Sequence, residues 1–310
     1  MMKTLQLFLK LVLILSVLTG CSATVRDIPV VTDSEKLLEI EQMRNKEEHV
    51  DQKDRLKNMS AKEHLDNGYK FLSRNDLSLA KLHFSLAVAK DDDLVDGYVG
   101  LSDTLVKNGK YAASKEVLTK ALAKNDQDIR TLSRMGIVCR GLGEYQESLK
   151  YLIKANEISS NNAWLLTELA ISYETSGQME LAEDNFLKVV QLELQSSSAL
   201  NNLGFNYLLQ GKHTEAIPIL EKALKWSSGN RLVMNNLALA YTFNQQQQRA
   251  LQLFEASVGK AGAYNNLGYL LMLQNQKEDA EIAFNQAMDL NPVFYERAKK
   301  NLDILQLNNR

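Results

Sequence analysis

Three pairs of neighbouring asparagines, Asn201 with Asn202, Asn235 with Asn236 and Asn265 with Asn266, return at nearly even intervals. A side-chain amide both donates and accepts hydrogen bonds, so a row of amides could hold a peptide backbone, whose groups alternate in the same way. Asparagine in a helix costs up to about 0.7 kcal/mol against alanine, so three pairs call for a compensating role. Duplication of one segment would give the same pattern without any such role. Rival chemistry is not legible. His49, His64, His83 and His213 are scattered without the spacing of a metal site or a triad. The two cysteines, Cys21 and Cys139, allow neither a disulfide framework nor a zinc knuckle. The glycines do not form a phosphate-cradling loop after a strand. These residues point to a binding protein rather than an enzyme, with no cofactor, metal or small-molecule substrate expected.

The asparagines sit inside a longer repeat. From Gly68, steps of 34 lead to Ser102, Gly136, Ala170, Gly204 and Ala238, and Gly268 follows after 30. Twelve positions after each stands a second small residue, Ala80, Ser114, Ser148, Ala182, Ala216, Ala250 or Ala280. Four further on comes a large apolar one, Phe84, Leu118, Leu152, Phe186, Leu220, Phe254 or Phe284. Apolar residues fall at helical intervals on two segments per copy, separated by a turn that often carries Gly109, Gly143, Gly177 or Gly211. Each copy therefore reads as a helix-turn-helix whose small residues permit close approach and whose large residue fills the space beside it. No copy can bury its apolar face alone. Stacked on neighbours it can, so the fold class is all-α, an α-solenoid.

At these positions the chain resembles the tetratricopeptide repeat family. Asn202-Leu203-Gly204-Phe205-Asn206-Tyr207, followed by Ala216 and the run Leu220 to Leu224, is similar to that family's consensus. The resemblance implies a concave surface that holds a protein or peptide segment. It also implies which residues turn inward, on the first helix of each copy. Trp164, Ile171, Phe205, Leu208, Leu239, Tyr269 and Met272 form the expected apolar wall, although any one of them could instead pack between helices. The second asparagine of each pair resembles the ladder by which some members of the family grip a peptide backbone. Earlier copies break that ladder with Arg134 and Glu168, which confines it to the C-terminal half.

The copies run as 61–94, 95–128, 129–162, 163–196, 197–230, 231–260 and 261–294, with a capping helix over 295–310. Ala298, Leu302 and Leu305 give that cap one apolar face. Pro218 is expected in the first turn of its helix, where a missing N–H costs little. The sixth copy is short, so its second helix is expected to stop about one turn early, with Gly259 or Gly262 reversing the chain. Only three prolines in 310 residues suits long helices, and a net charge of −2 with both signs interspersed gives no case for nucleic acid. Cys139 occupies a position held by tyrosine in other copies and reads as a core residue.

The N-terminus is an address. Lys3 and Lys10 precede a short apolar run, Leu11 to Leu18, that would span only about 12 Å as a helix. Leu18-Thr19-Gly20-Cys21 resembles the bacterial lipoprotein box, which implies cleavage after residue 20 and lipid on the Cys21 sulfur. Such proteins carry about three acyl chains, and two suffice for stable anchoring. Ser22, in place of an aspartate, implies the periplasmic face of the outer membrane. Residues 22–31 read as a tether, and 33–60 as a charged, partly solvated helix that serves as a spacer or as a docking element. The leader, the seven repeats and the ending Asn265-Asn266-Leu267-Gly268-Tyr269 to Pro292-Val293-Phe294-Tyr295 together resemble the tight-adherence (Flp) pilus assembly lipoproteins. That resemblance implies a pilus secretin as partner. A pilotin of the type IV class and an adaptor presenting substrates to envelope proteases remain as alternatives.

Overall fold

The computed structural model describes residues 56–290 and 292–307. The leader, Cys21, the tether and most of the charged spacer lie outside the described residues. The first copy folds as α1 (Ala61–Ser73) and α2 (Leu77–Lys90), the second as α3 (Val95–Lys107) and α4 (Tyr111–Lys124), the third as α5 (Ile129–Gly141) and α6 (Tyr145–Ile158). The fourth gives α7 (Ala163–Thr175) and α8 (Met179–Leu192), the fifth α9 (Ser197–Leu209) and α10 (His213–Lys225). The sixth gives α11 (Arg231–Phe243) and α12 (Gln247–Val258), and the seventh α13 (Lys260–Leu273) and α14 (Lys277–Leu290). A last helix, α15 (Pro292–Leu307), follows. No strand occurs among the described residues.

Each boundary has a local cause. The residue before most first helices is a short polar one, and Ser60, Asp128, Asn162, Ser196 and Asn230 each accept a hydrogen bond from a first-turn N–H. Between the two helices of every copy one residue takes the left-handed conformation. These are Asn75, Gly109, Gly143, Gly177, Gly211, Gln245 and Asn275, with φ from 60° to 81°. That turn lets the next N–H reach back across the helix end, as Lys110 N does to Leu105 O and Gln246 N to Tyr241 O, both at 2.8 Å.

The small-large pairing closes each helix pair. A Cβ built on Gly68 would lie 2.6 Å from the Phe84 ring, and one on Gly204 would lie 2.5 Å from Leu220 Cγ. Only the absence of a side chain permits that approach. Contacts divide the described chain into two compact units, 56–176 and 177–307, parting inside the fourth copy. In each unit helix packs on the next helix in sequence, and first helices also touch the first helices of the next copy. The core of 56–176 is built from Phe84, Leu105, Leu118, Met135, Leu132, Leu152 and their neighbours. That of 177–307 runs from Met179 through Leu220, Leu237 and Phe254 to Leu270, with a second cluster around Phe284, Ala298, Leu302 and Leu305 that seats α15 on α13 and α14.

Two expectations need correction. Pro218 is the sixth residue of α10, a turn later than expected, so the Thr214 carbonyl loses its helical donor; the proline is exposed, and water can replace that bond. The short copy loses less helix and more linker than expected. Helix α12 has 12 residues against 14 in α2, and Gly259 alone joins it to α13, where four residues join α2 to α3. Gly259 sits at φ 79°, ψ 167°, while Gly262 is buried inside α13. Direct succession of the helices replaces the usual loop.

Candidate functional site

In the unit 177–307 the first helices α9, α11 and α13 lie side by side, with α15 beside α13. Their asparagines meet one another. Asn236 Nδ2 of α11 donates to Asn201 Oδ1 of α9 at 2.9 Å, both side chains being buried. The next step of the ladder changes partner. Asn235 Oδ1 accepts from Ser257 Oγ at 2.6 Å, and Ser257 stands where the other copies carry alanine or valine. Asn265 Oδ1 accepts from Asn301 Nδ2 of α15 at 3.1 Å, while its own Nδ2 is buried without a partner among the described residues. The change falls where Gly259 alone links α12 to α13.

This placement alters the reading of the ladder. Of the three second-position asparagines, Asn236 and Asn266 are buried, and Asn202 alone keeps partial exposure. The buried amide pair joins neighbouring first helices and offsets the poor helix propensity of asparagine within the fold. Leu208 and Leu239, at 1% and 3% exposure, belong to the core cluster rather than to an open wall. Phe205 and Tyr269 pack against that cluster half-buried, and burial pushes the Tyr269 phenol above its ordinary value. Met272 is half-buried against the last cluster. The part of this face that a partner could touch is therefore Asn202, Phe205, Tyr269 and Met272.

Trp164 and Ile171 belong to the other unit, on α7. Trp164 is 43% exposed, and the Arg134 guanidinium lies 4.8 Å from its ring centroid. Arg134 Nε donates to Asp103 Oδ1 at 2.9 Å, and Arg140 reaches Glu168 Oε2 at 2.7 Å and Ser172 Oγ at 2.9 Å. Ion pairs thus join α5 to α3 and to α7, where amides join α9 to α11. Reading the sequence alone missed these pairs, along with Ser257 and Asn301. The usable signal was opposite charge in neighbouring copies, with Asp103 set against Arg134.

Other reactive groups are quiet. Among the described residues no group of three His, Cys, Asp or Glu side chains could hold a metal ion. No helix there is long and apolar enough to cross a membrane. Burial pushes the Cys139 thiol up to about 11, which suits a core residue. One expectation fails here: His64 and His83, distant in sequence, are paired, with Nδ1 3.0 Å from Nδ1.

Models of the tetratricopeptide repeat match residues 95–123, 195–259 and 261–292. Among curated proteins none matches the chain. A tetratricopeptide repeat protein from Parabacteroides merdae ATCC 43184 superposes with a TM-score of 0.59 at 19% identity, covering 79% of this chain and 98% of that one. The pilF protein of Pseudomonas aeruginosa superposes with a TM-score of 0.54 at 15% identity, covering 62% and 88%. At such identities the likeness is one of fold. Repeat period, left-handed turns, small-large contacts and matched segments agree, and the fold is a tetratricopeptide-type α-solenoid.

Proposed function

We propose that this protein is a lipid-anchored scaffold on the periplasmic face of a bacterial outer membrane, where it binds the secretin of a tight-adherence (Flp) pilus and assists its assembly or localisation. The reading extends the resemblance to the pilus assembly lipoprotein TadD. One observation carries it: the run Leu18-Thr19-Gly20-Cys21, which resembles a lipoprotein box, stands ahead of a repeat fold suited to holding proteins. The partly open residues Asn202, Phe205, Tyr269 and Met272 supply an amide and apolar surface that an extended segment could use.

A second reading, a pilotin of the type IV class, is favoured by the fold shared with pilF. Both readings place a secretin in contact with the protein, and a neighbouring secretin or pilus ATPase gene would separate them from the reading as an adaptor for envelope proteases. Cys21→Ser is expected to release the protein from outer-membrane fractions and leave its circular dichroism unchanged, because anchor and repeats are separate segments. Secretin multimers in the outer membrane should fall with it, as they should on deletion of the whole gene. Normal multimers in the deletion strain would sink the secretin reading, and membrane retention of the serine variant would sink the anchor.

A further inference from the structure

The first copy contains a buried histidine pair that the binding face does not use. His64 on α1 and His83 on α2 are 0% and 4% exposed, with Nδ1 3.0 Å from Nδ1. His64 Nε2 lies 3.0 Å from the Leu56 carbonyl oxygen. A carbonyl only accepts, so His64 Nε2 carries the proton. The neutral ring then has a bare Nδ1, and the contact requires His83 Nδ1–H to donate. Leu56 thereby fixes the tautomer of both rings. Phe71 stacks on His83 with centroids 5.3 Å apart. Next to Leu56, the Lys57 carbonyl accepts from Lys90 Nζ at 2.8 Å. Two successive carbonyls ahead of α1 are thus held by the first copy.

We propose that the His64–His83 pair is a pH-sensitive latch that holds the start of α1, with residues 56–58 ahead of it, on α2 while both rings are neutral and lets them part on acidification; the Leu56 carbonyl accepts from His64 Nε2–H in either state and moves with α1. One added proton, at the bare Nε2 of His83, puts a charge among apolar neighbours. A second forces N–H against N–H. Three charges act on the rings. Glu63 on α1 favours charging His64, but its carboxylate is already engaged by Ser60 N at 2.7 Å and Ser60 Oγ at 2.8 Å. Lys90 on α2 opposes it, and on His83 the acting charge is that of His64. None of the acting charges comes from α3, which packs on α2. Burial holds both rings below their ordinary value, His83 down to about 4. A folded value below the unfolded 6.5 means the stabilisation is complete above 6.5 and is lost as pH falls toward about 4.

Amide hydrogen exchange of the full chain, corrected for the intrinsic rate at each pH, reads the latch. Protection over residues 61–66 should fall more than about tenfold between about pH 7 and pH 4.5, with residues 95–158 nearly unchanged. In His83→Asn the amide can donate to neutral His64 Nδ1 or, turned over, accept from the protonated ring, so the acid loss should shrink to the part that burial of His64 alone sets. Equal protection of the native segment at both pH values would overturn the proposal, as would the same acid loss in His83→Asn. Should that variant fail to fold, imidazole nitrogen-15 shifts of the native protein decide. Nε2–H on His64 with Nδ1–H on His83 supports the latch, and Nε2–H on both rings overturns it.

Discussion

The amide of Asn236 shows what a repeated residue can be for. Its hydrogen bond to Asn201 is buried, so Asn236→Ala leaves an acceptor without a donor, a loss of about 1–3 kcal/mol. The better helix propensity of alanine returns at most about 0.7 kcal/mol of that. Asn202→Ala, at the matching position one copy earlier, removes no buried amide–amide bond from a half-exposed side chain and should leave stability equal or slightly higher. Denaturant unfolding of the two variants should therefore diverge, with Asn236→Ala alone moving to a lower midpoint. Equal midpoints would mean that the buried pair contributes nothing. The asparagine column itself was legible in the sequence. A 34-residue period shows which residues occupy the same place, but not whether an amide turns to a neighbouring helix or to solvent.

Among the elements, the turns and the short sixth copy carry the backbone argument. Gly259 sits at φ 79°, ψ 167°, a region open essentially to glycine, and a Cβ there would meet nothing within 4 Å. Gly259→Ala should therefore destabilise through backbone strain alone, by about 1–3 kcal/mol. The reverse holds at Gln245, which keeps φ 60° with a full side chain, so Gln245→Gly should gain up to about 1 kcal/mol. Opposite shifts in melting temperature check both together. Four of the seven turns announced themselves as glycine. At Asn75, Gln245 and Asn275 the left-handed residue itself was not legible, although the glutamine run from Gln245 marked its turn, because the repeat geometry imposes a conformation that composition does not mark. The shortening was legible as missing residues. How the loss would divide between helix and linker depends on how α13 packs against α11 and α12, which no local signal encodes.

For the whole molecule, the small-large contacts stated the fold outright, since their spacing has few solutions other than stacked helix pairs. The binding face was harder to read. Helix periodicity marks an apolar side as inward without distinguishing the core, where Leu208 and Leu239 lie, from the rim, where Phe205 and Tyr269 keep some exposure. By the proposal a secretin segment sits on the first-helix face of α9, α11 and α13. A photo-crosslinking amino acid placed at Phe205 tests this most directly, with the same group at the 67% exposed Ile282 of α14 as control. In intact cells a crosslink to the secretin subunit is expected from position 205 and none from position 282. A secretin crosslink from 282 alone, or none from 205, would contradict it.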